Sequence, residues 1–239
     1  MLLTTLQVTV KTVVPDTGGN DRVEAQCLWY GRDRQGREGF LDDRGVLYAG
    51  PDSFVFRVTQ ALQNIERGGP SGHALVSYLE NASPVTNITL NYLNEADMDA
   101  GSYIFWNPSD LRGAPDEHGD TTRPSFIALA HELAHISDIW KGTICRKRWK
   151  VLPADADGEW REVSCAELYA THIENLVRAE NGVPLRMSYG ISGESSSHPG
   201  QKDLSSLLVR PGTRESLYFD KDGHTRYRPL KSGETPMVY

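Results

Sequence analysis

The pattern of apolar and polar positions shifts along the chain from alternating to helical, then back to alternating. Leu6, Val8 and Val10 alternate with polar residues and predict a first strand; Val23 to Tyr30 predict a second. Residues 15–20 between them form a turn-rich break. Residues 31–45 are charged and dotted with glycine, which predicts a loop or hairpin. Its arginines are interleaved with Asp33, Glu38, Asp42 and Asp43, so a solvated loop is expected rather than an anion site. Pro51-Asp52-Ser53 opens a helix in which Phe54, Val58, Ala61, Leu62 and Ile65 recur at helical spacing, until Gly68-Gly69 ends it. A second helix over about Gly72–Glu80 carries Leu75, Val76 and Leu79. Val85–Leu93 and Gly101–Pro108 read as strands, and 109–123 as a polar loop. Towards the end, Leu217–Tyr227 reads as a hairpin with Asp222-Gly223 in its turn, after a Ser/Gly-rich stretch from Gly190 to Gly200. No internal repeat and no domain boundary stand out.

One segment departs from this alternation. Ser125 to Trp140 is apolar almost all round, with Ile127, Leu129, Ala130, Leu133, Ala134, Ile136 and Ile139, so a buried helix is expected. Pro124 suits its first position and Gly142 its stop. His131 and His135 sit one turn apart and project from one face. That is the spacing two imidazoles need to share one zinc ion. Glu132, beside the first histidine, is placed to act as a general base. Buried ionisable groups are costly without a purpose, which favours a metal site over two satisfied core histidines.

The overall totals narrow the class. A net charge of -7 argues against a general nucleic-acid binder. No apolar run approaches the length of a membrane span. Three widely spaced cysteines, Cys27, Cys145 and Cys165, do not form a disulfide framework and favour a reducing compartment. The N-terminal residues lack the basic start and apolar block of a signal peptide.

A catalytic zinc needs a third protein ligand. The extended motif with glycine at 138 and histidine at 141 is absent, because the chain has Asp138 and Lys141. Asp138 reads as an acid hydrogen-bonding a ligand histidine rather than as a ligand. A helix expected over about Arg161–Asn181 offers more. Glu167, Thr171, Glu174 and Arg178 lie along one of its stripes. If that stripe faces the metal helix, it supplies a carboxylate; if it faces solvent, Glu174 and Arg178 form an ordinary surface pair. Helical spacing leaves Glu167 and Glu174 both open. The basic run Arg146–Lys150 reads as a solvated loop or a substrate-contacting rim.

Several pieces, in order, resemble the bacterial effector metallopeptidases typified by NleD. They are Trp106-Asn107-Pro108, the run Ile127–His135, Glu167, Glu174-Asn175 with Arg178, and Pro184-Leu185-Arg186-Met187-Ser188-Tyr189. The similarity spans roughly Phe54 to Gly190. A looser similarity to clostridial neurotoxin light chains rests on a glutamate some distance after the second histidine and on an Arg-x-x-Tyr pair. The resemblance implies Glu167 as third zinc ligand, with Arg186 and Tyr189 stabilising the oxyanion. Glu174 and Asp138 are then acids that orient a ligand, or alternative ligands.

The expected fold is α+β: a zincin-like single domain over 1–239, with a small mixed sheet and a buried His-Glu-x-x-His helix. Its core covers about 51–190, with the strands of 1–50 and the tail of 191–239 as additions. The expected activity is zinc-dependent endopeptidase, in an effector that reaches the target-cell cytoplasm by a route without a signal peptide and cuts an intracellular protein. Tyr103–Trp106 is the candidate edge along which an extended substrate pairs. The alternatives are the C-terminal toxin module of a larger antibacterial protein, and a non-catalytic module that keeps zinc for structure. Glu132 speaks against the last, since a structural site has no use for a base.

Overall fold

The computed structural model describes residues 5–14, 22–152, 161–189, 208–210, 212–219 and 225–230. The break expected at 15–20, the Ser/Gly-rich stretch and the Asp222-Gly223 turn lie outside these residues.

The protein is α+β. Strands β1 (Leu6–Val14), β2 (Arg22–Arg32) and β3 (Glu38–Leu41) precede helices α1 (Ser53–Gly68) and α2 (Pro70–Asn81). Then come β4 (Thr86–Leu90), β5 (Glu95–Ala96), β6 (Tyr103–Trp106) and helix α3 (Ser125–Trp140). The hairpin of β7 (Arg148–Leu152) and β8 (Arg161–Ser164) leads into α4 (Cys165–Glu180), and β9 (Glu215–Phe219) pairs with β10 (Thr225–Pro229).

The main sheet is mixed, in the order β3-β2-β1-β4-β6-β5. β1 pairs antiparallel with β2 and parallel with β4, so the N-terminal strands are built into the sheet. β1 sends Leu6, Val8 and Val10 into the core, as its alternation dictates. β6 runs parallel to β4 and is covered on its other side by β5, through Glu95↔Phe105 and Ala96↔Ile104. The expectation of an open edge along Tyr103–Trp106 is therefore not met. Two residues of β5 occupy the hydrogen-bonding positions that an extended substrate would need.

The helices cover this sheet. Asp52 caps α1, accepting from the backbone N–H groups of Phe54 at 2.8 Å and Val55 at 3.2 Å. Val58, Leu62 and Ile65 of α1 and Val76 and Leu79 of α2 join Ile88, Ile104 and Trp106 in one core. α3 packs against α1, α2 and α4 and meets β5 and β6 at its side. Its start is fastened to the sheet by Trp106 Nε1, which donates to Ser125 O at 3.0 Å. Pro124 occupies the position before the first helical residue, one earlier than its sequence suggests, and Gly142 follows the last turn with φ +69°. Among the described residues no helix is long and apolar enough to cross a membrane.

The helix expected from Arg161 starts four residues late. Arg161–Ser164 pair instead with Arg148–Leu152, which turns part of the expected basic loop into a strand. Sheet pairing wins locally because it satisfies backbone groups that a first helical turn leaves orphaned. The loop before β7 then caps α4: Cys165 N donates to Lys147 O at 2.8 Å and Ala166 N to Cys145 O at 2.9 Å. At the other end of α4, the Glu180 carboxylate accepts from Ser71 N at 2.9 Å and Gly72 N at 3.1 Å, at the start of α2. Both ends of α4 are thus tied down, which fixes its register against α3.

Candidate active site

The α3–α4 interface brings the ionisable residues together. The stripe expected on α4 faces inward: Thr171, Glu174 and Arg178 are buried, and Glu167 is partly so. Val163 just before α4, and Ala166, Ala170, Ile173 and Val177 on it, are buried as well. α4 is surrounded on nearly all sides, and its Glu174–Arg178 pair is an interior pair, not a surface one.

His131 Nε2 and His135 Nε2 lie 3.2 Å apart. Glu167 reaches both, with Oε2 at 3.2 Å from His131 Nε2 and Oε1 at 3.6 Å from His135 Nε2. Ligand bonds of about 2.0–2.2 Å in a tetrahedral arrangement put ligand atoms roughly 3.3 Å apart. The three donors already stand at that spacing, so they fit a divalent metal. Among the described residues they form a potential metal-holding group of side chains.

Glu174 lies behind the first histidine. His131 Nδ1–H donates to Glu174 Oε2 at 3.0 Å, which leaves the Nε2 lone pair facing Glu167 and His135. Two arginines complete the Glu174 environment: Arg178 Nε donates to Oε1 at 2.9 Å and Arg186 Nη1 to Oε2 at 3.0 Å. Arg186 is further held by Ser188 O at 3.2 Å and Tyr189 O at 2.9 Å, and its guanidinium lies 4.9 Å from the centre of the Tyr189 ring. Asn175 clamps the same segment, accepting from Arg186 N at 2.8 Å and donating to Arg186 O at 3.1 Å.

The electrostatics follow from this packing. Burial works against a charged His131, but the hydrogen bonds to Glu167 and Glu174 outweigh it and push it up to about 9. Burial raises Glu167 and Glu174, yet both stay well below the usual carboxylate range. His131 and His135 hold Glu167 down; Arg186, Arg178 and His131 hold Glu174 down. Glu132 is different: burial raises its pKa, with His131 and His135 only partly opposing. A carboxylate raised in this way is a better proton acceptor near neutral pH.

Asp138 has a partner other than the one its position suggested. Its Oδ1 accepts from the Thr143 hydroxyl at 2.5 Å, and among the described residues no hydrogen bond joins it to a histidine. It lies almost a turn beyond His135, where it closes the turn after α3. Nothing in the local pattern singles out Arg123, at the threshold of α3. Its guanidinium lies close enough to Glu132 and Glu174 for their charges to act on it.

A model of the Peptidase M91 family, described as effector protein, matches residues 42–189. The match takes in more than half of the chain, from just after β3 through α1, α2, α3 and α4 to Tyr189. This chain belongs to the M91 effector peptidases. The M91 match covers every residue of the site just described and excludes β1–β3 and the β9–β10 hairpin. Searches of curated proteins and of solved structures gave no match.

Proposed function

We propose that this effector peptidase is a zinc endopeptidase that cuts an intracellular protein of its target cell, acting as one domain. The observation that carries the reading is the convergence of His131, His135 and Glu167 beside Glu132. Two imidazoles and one carboxylate are the donor set of a catalytic rather than a structural zinc site. Zinc held there supplies Lewis acidity, polarising the scissile carbonyl and lowering the pKa of the attacking water.

The chain's own residues do the rest. Glu132 takes the proton of the attacking water and passes it to the leaving amine. Glu174 keeps His131 in the tautomer that offers Nε2. Tyr189 answers the negative charge that develops on the carbonyl oxygen. Arg186 sets the position of Tyr189 and neutralises Glu174, and its remaining N–H groups add to the positive field around that oxygen. The three cysteines form no disulfide, which suits a reducing target cytoplasm.

The test is mass spectrometry of target-cell lysate incubated with wild type and with Glu132→Ala. Wild type generates new protein termini, and Glu132→Ala, with metal content unchanged, generates them at least roughly a hundredfold more slowly. Equal cleavage by a metal-loaded Glu132→Ala would refute the assignment of the base.

A further inference from the structure

The loop from Leu111 to Arg123 is fastened along its course. Arg123 N donates to Leu111 O at 2.6 Å and Gly113 N to Thr121 O at 2.7 Å. Asp116 forms a β-bridge with Arg186, Met187 N donates to Pro115 O at 2.9 Å, and Glu117 N to Leu185 O at 2.9 Å. Arg123 therefore stands where this loop, the start of α3 and the segment carrying Arg186 and Tyr189 meet. Its side chain rests on Gly113, where a Cβ would come within 2.8 Å of Arg123 Cβ. The position is held by backbone on both sides.

The guanidinium held there has no bonded partner, although the Asp110 carboxylate lies near enough for the two charges to act on each other. Its Nε is buried without a hydrogen-bond partner, and among the described residues the group makes no ion pair. Arg178 and Arg186, by contrast, are engaged by Glu174. Burial draws the Arg123 pKa down, the Glu174 and Glu132 carboxylates draw it up, and Arg186 and Arg178 oppose them. A partly buried guanidinium with an unmet N–H is costly, and an anion offered to its planar fork recovers that cost. The charge balance points the same way. Glu132, Glu167 and Glu174 are matched in number by Arg123, Arg178 and Arg186, so a divalent metal leaves the site positive.

The chemistry locates the anion. Glu132 hands its proton to the leaving amine, so the substrate residue that carries this amine passes beside Glu132. Arg123 is near enough for its charge to act on Glu132. We propose that Arg123 is a specificity residue whose guanidinium receives an anionic side chain, carboxylate or phosphate, on the residue that follows the cleaved bond. The proposal rests on the peptidase reading above.

The test is a synthetic peptide library, randomised at every position and including phosphoserine, cleaved by the zinc-loaded full chain and read by mass spectrometry. Wild type is expected to favour Asp, Glu or phosphoserine over Gln after the cleaved bond by at least roughly tenfold. The carboxylate and phosphate arms separate the two sources. Arg123→Gln should bring that ratio close to one, Arg123→Lys should retain part of it, and Arg123→Glu should invert it towards Lys. Melting curves of the three variants show whether each is folded. Affinity gives a second readout: in the inactive Glu132→Gln background, adding Arg123→Gln should weaken binding of an acidic peptide more than that of its Gln counterpart. Cleavage without acidic preference, or a uniform fall in kcat across all peptides with Arg123→Gln, would overturn this proposal alone. Absence of cleavage by wild type would sink the peptidase reading together with it.

Discussion

Two regions of this protein bury carboxylates, and burial prevails over the neighbouring cations at Glu66 and Glu80 of one but not at Glu174 of the other. At the α3–α4 interface, Glu174 is 0% exposed and its partners Arg178 and Arg186 are 1% and 10% exposed. There the acid stays ionised, well below the usual range. Under α1 and α2, Glu38 and Glu66 are 7% and 5% exposed, but their cations Arg67 and Arg32 are 65% and 57% exposed. There burial and the neighbouring Glu38 raise Glu66 above the usual carboxylate range, and burial pushes Glu80 up to about 7, while Glu38 itself, with Arg67 and Arg32 beside it, is lowered. The carboxyl group is the same and the burial similar. What differs is whether the compensating cation is buried too. A guanidinium out of water acts through a low effective dielectric and holds an acid charged, whereas a solvated one is screened. The site spends its buried arginines on keeping a negative charge where a histidine must be oriented. The scaffold has no such need, and there burial raises Glu66 and Glu80.

The contrast is broken most completely by removing the groups that the charged region serves. His131→Ala or His135→Ala should lose metal and cleavage together, because two remaining protein ligands hold zinc poorly. Full metal occupancy in either variant, measured on the purified protein, contradicts their role. Glu167→Gln should weaken zinc binding strongly while Glu174→Gln keeps the metal. A zinc titration of the pair that gives the reverse order exchanges the two roles.

Glu174→Gln tests the charged region itself. It leaves Arg178 and Arg186 buried without their counter-charge, a loss of about 3–5 kcal/mol for breaking such a pair. It also loosens His131, which should lower turnover by roughly ten- to a hundredfold. A chemical denaturation series together with steady-state rates checks both. An unchanged stability would show that the arginines do not depend on Glu174.

The smallest effect belongs to the region of Glu66 and Glu80. Because the folded pKa of Glu80 is raised, its stabilising contribution is complete below the unfolded carboxylate range and is lost as pH rises through about 7. Glu80→Gln, neutral at every pH, should therefore match wild type near pH 4 and exceed it above pH 7. A shift of this size corresponds to about 3 kcal/mol at full strength, and partial exposure reduces it to roughly 1–2 kcal/mol. Melting curves at the two pH values test the sign. A variant less stable than wild type at high pH would show that Glu80 is ionised and paired in the fold.

The sequence by itself determined α3, its two histidines and the adjacent Glu132. All of these follow from local spacing: a 3.6-residue period places His131 and His135 on one face whatever surrounds them, and an apolar cylinder must be buried. It also determined which stripe of α4 carries the carboxylates. It did not determine which carboxylate meets which nitrogen. Glu167 and Glu174 share a stripe, and only the tethering of α4 by Cys165 N and Glu180 sets the register that brings Glu167 to both Nε2 atoms and Glu174 to Nδ1. The strand at Arg161–Ser164, the covering of β6 by β5 and the placing of Arg123 were equally out of reach. Each depends on what a distant segment does with its backbone or its charge. The periodicity of one stretch carries no information about its neighbour in space, and pairing across the chain overrides local preference where it satisfies more buried polar groups.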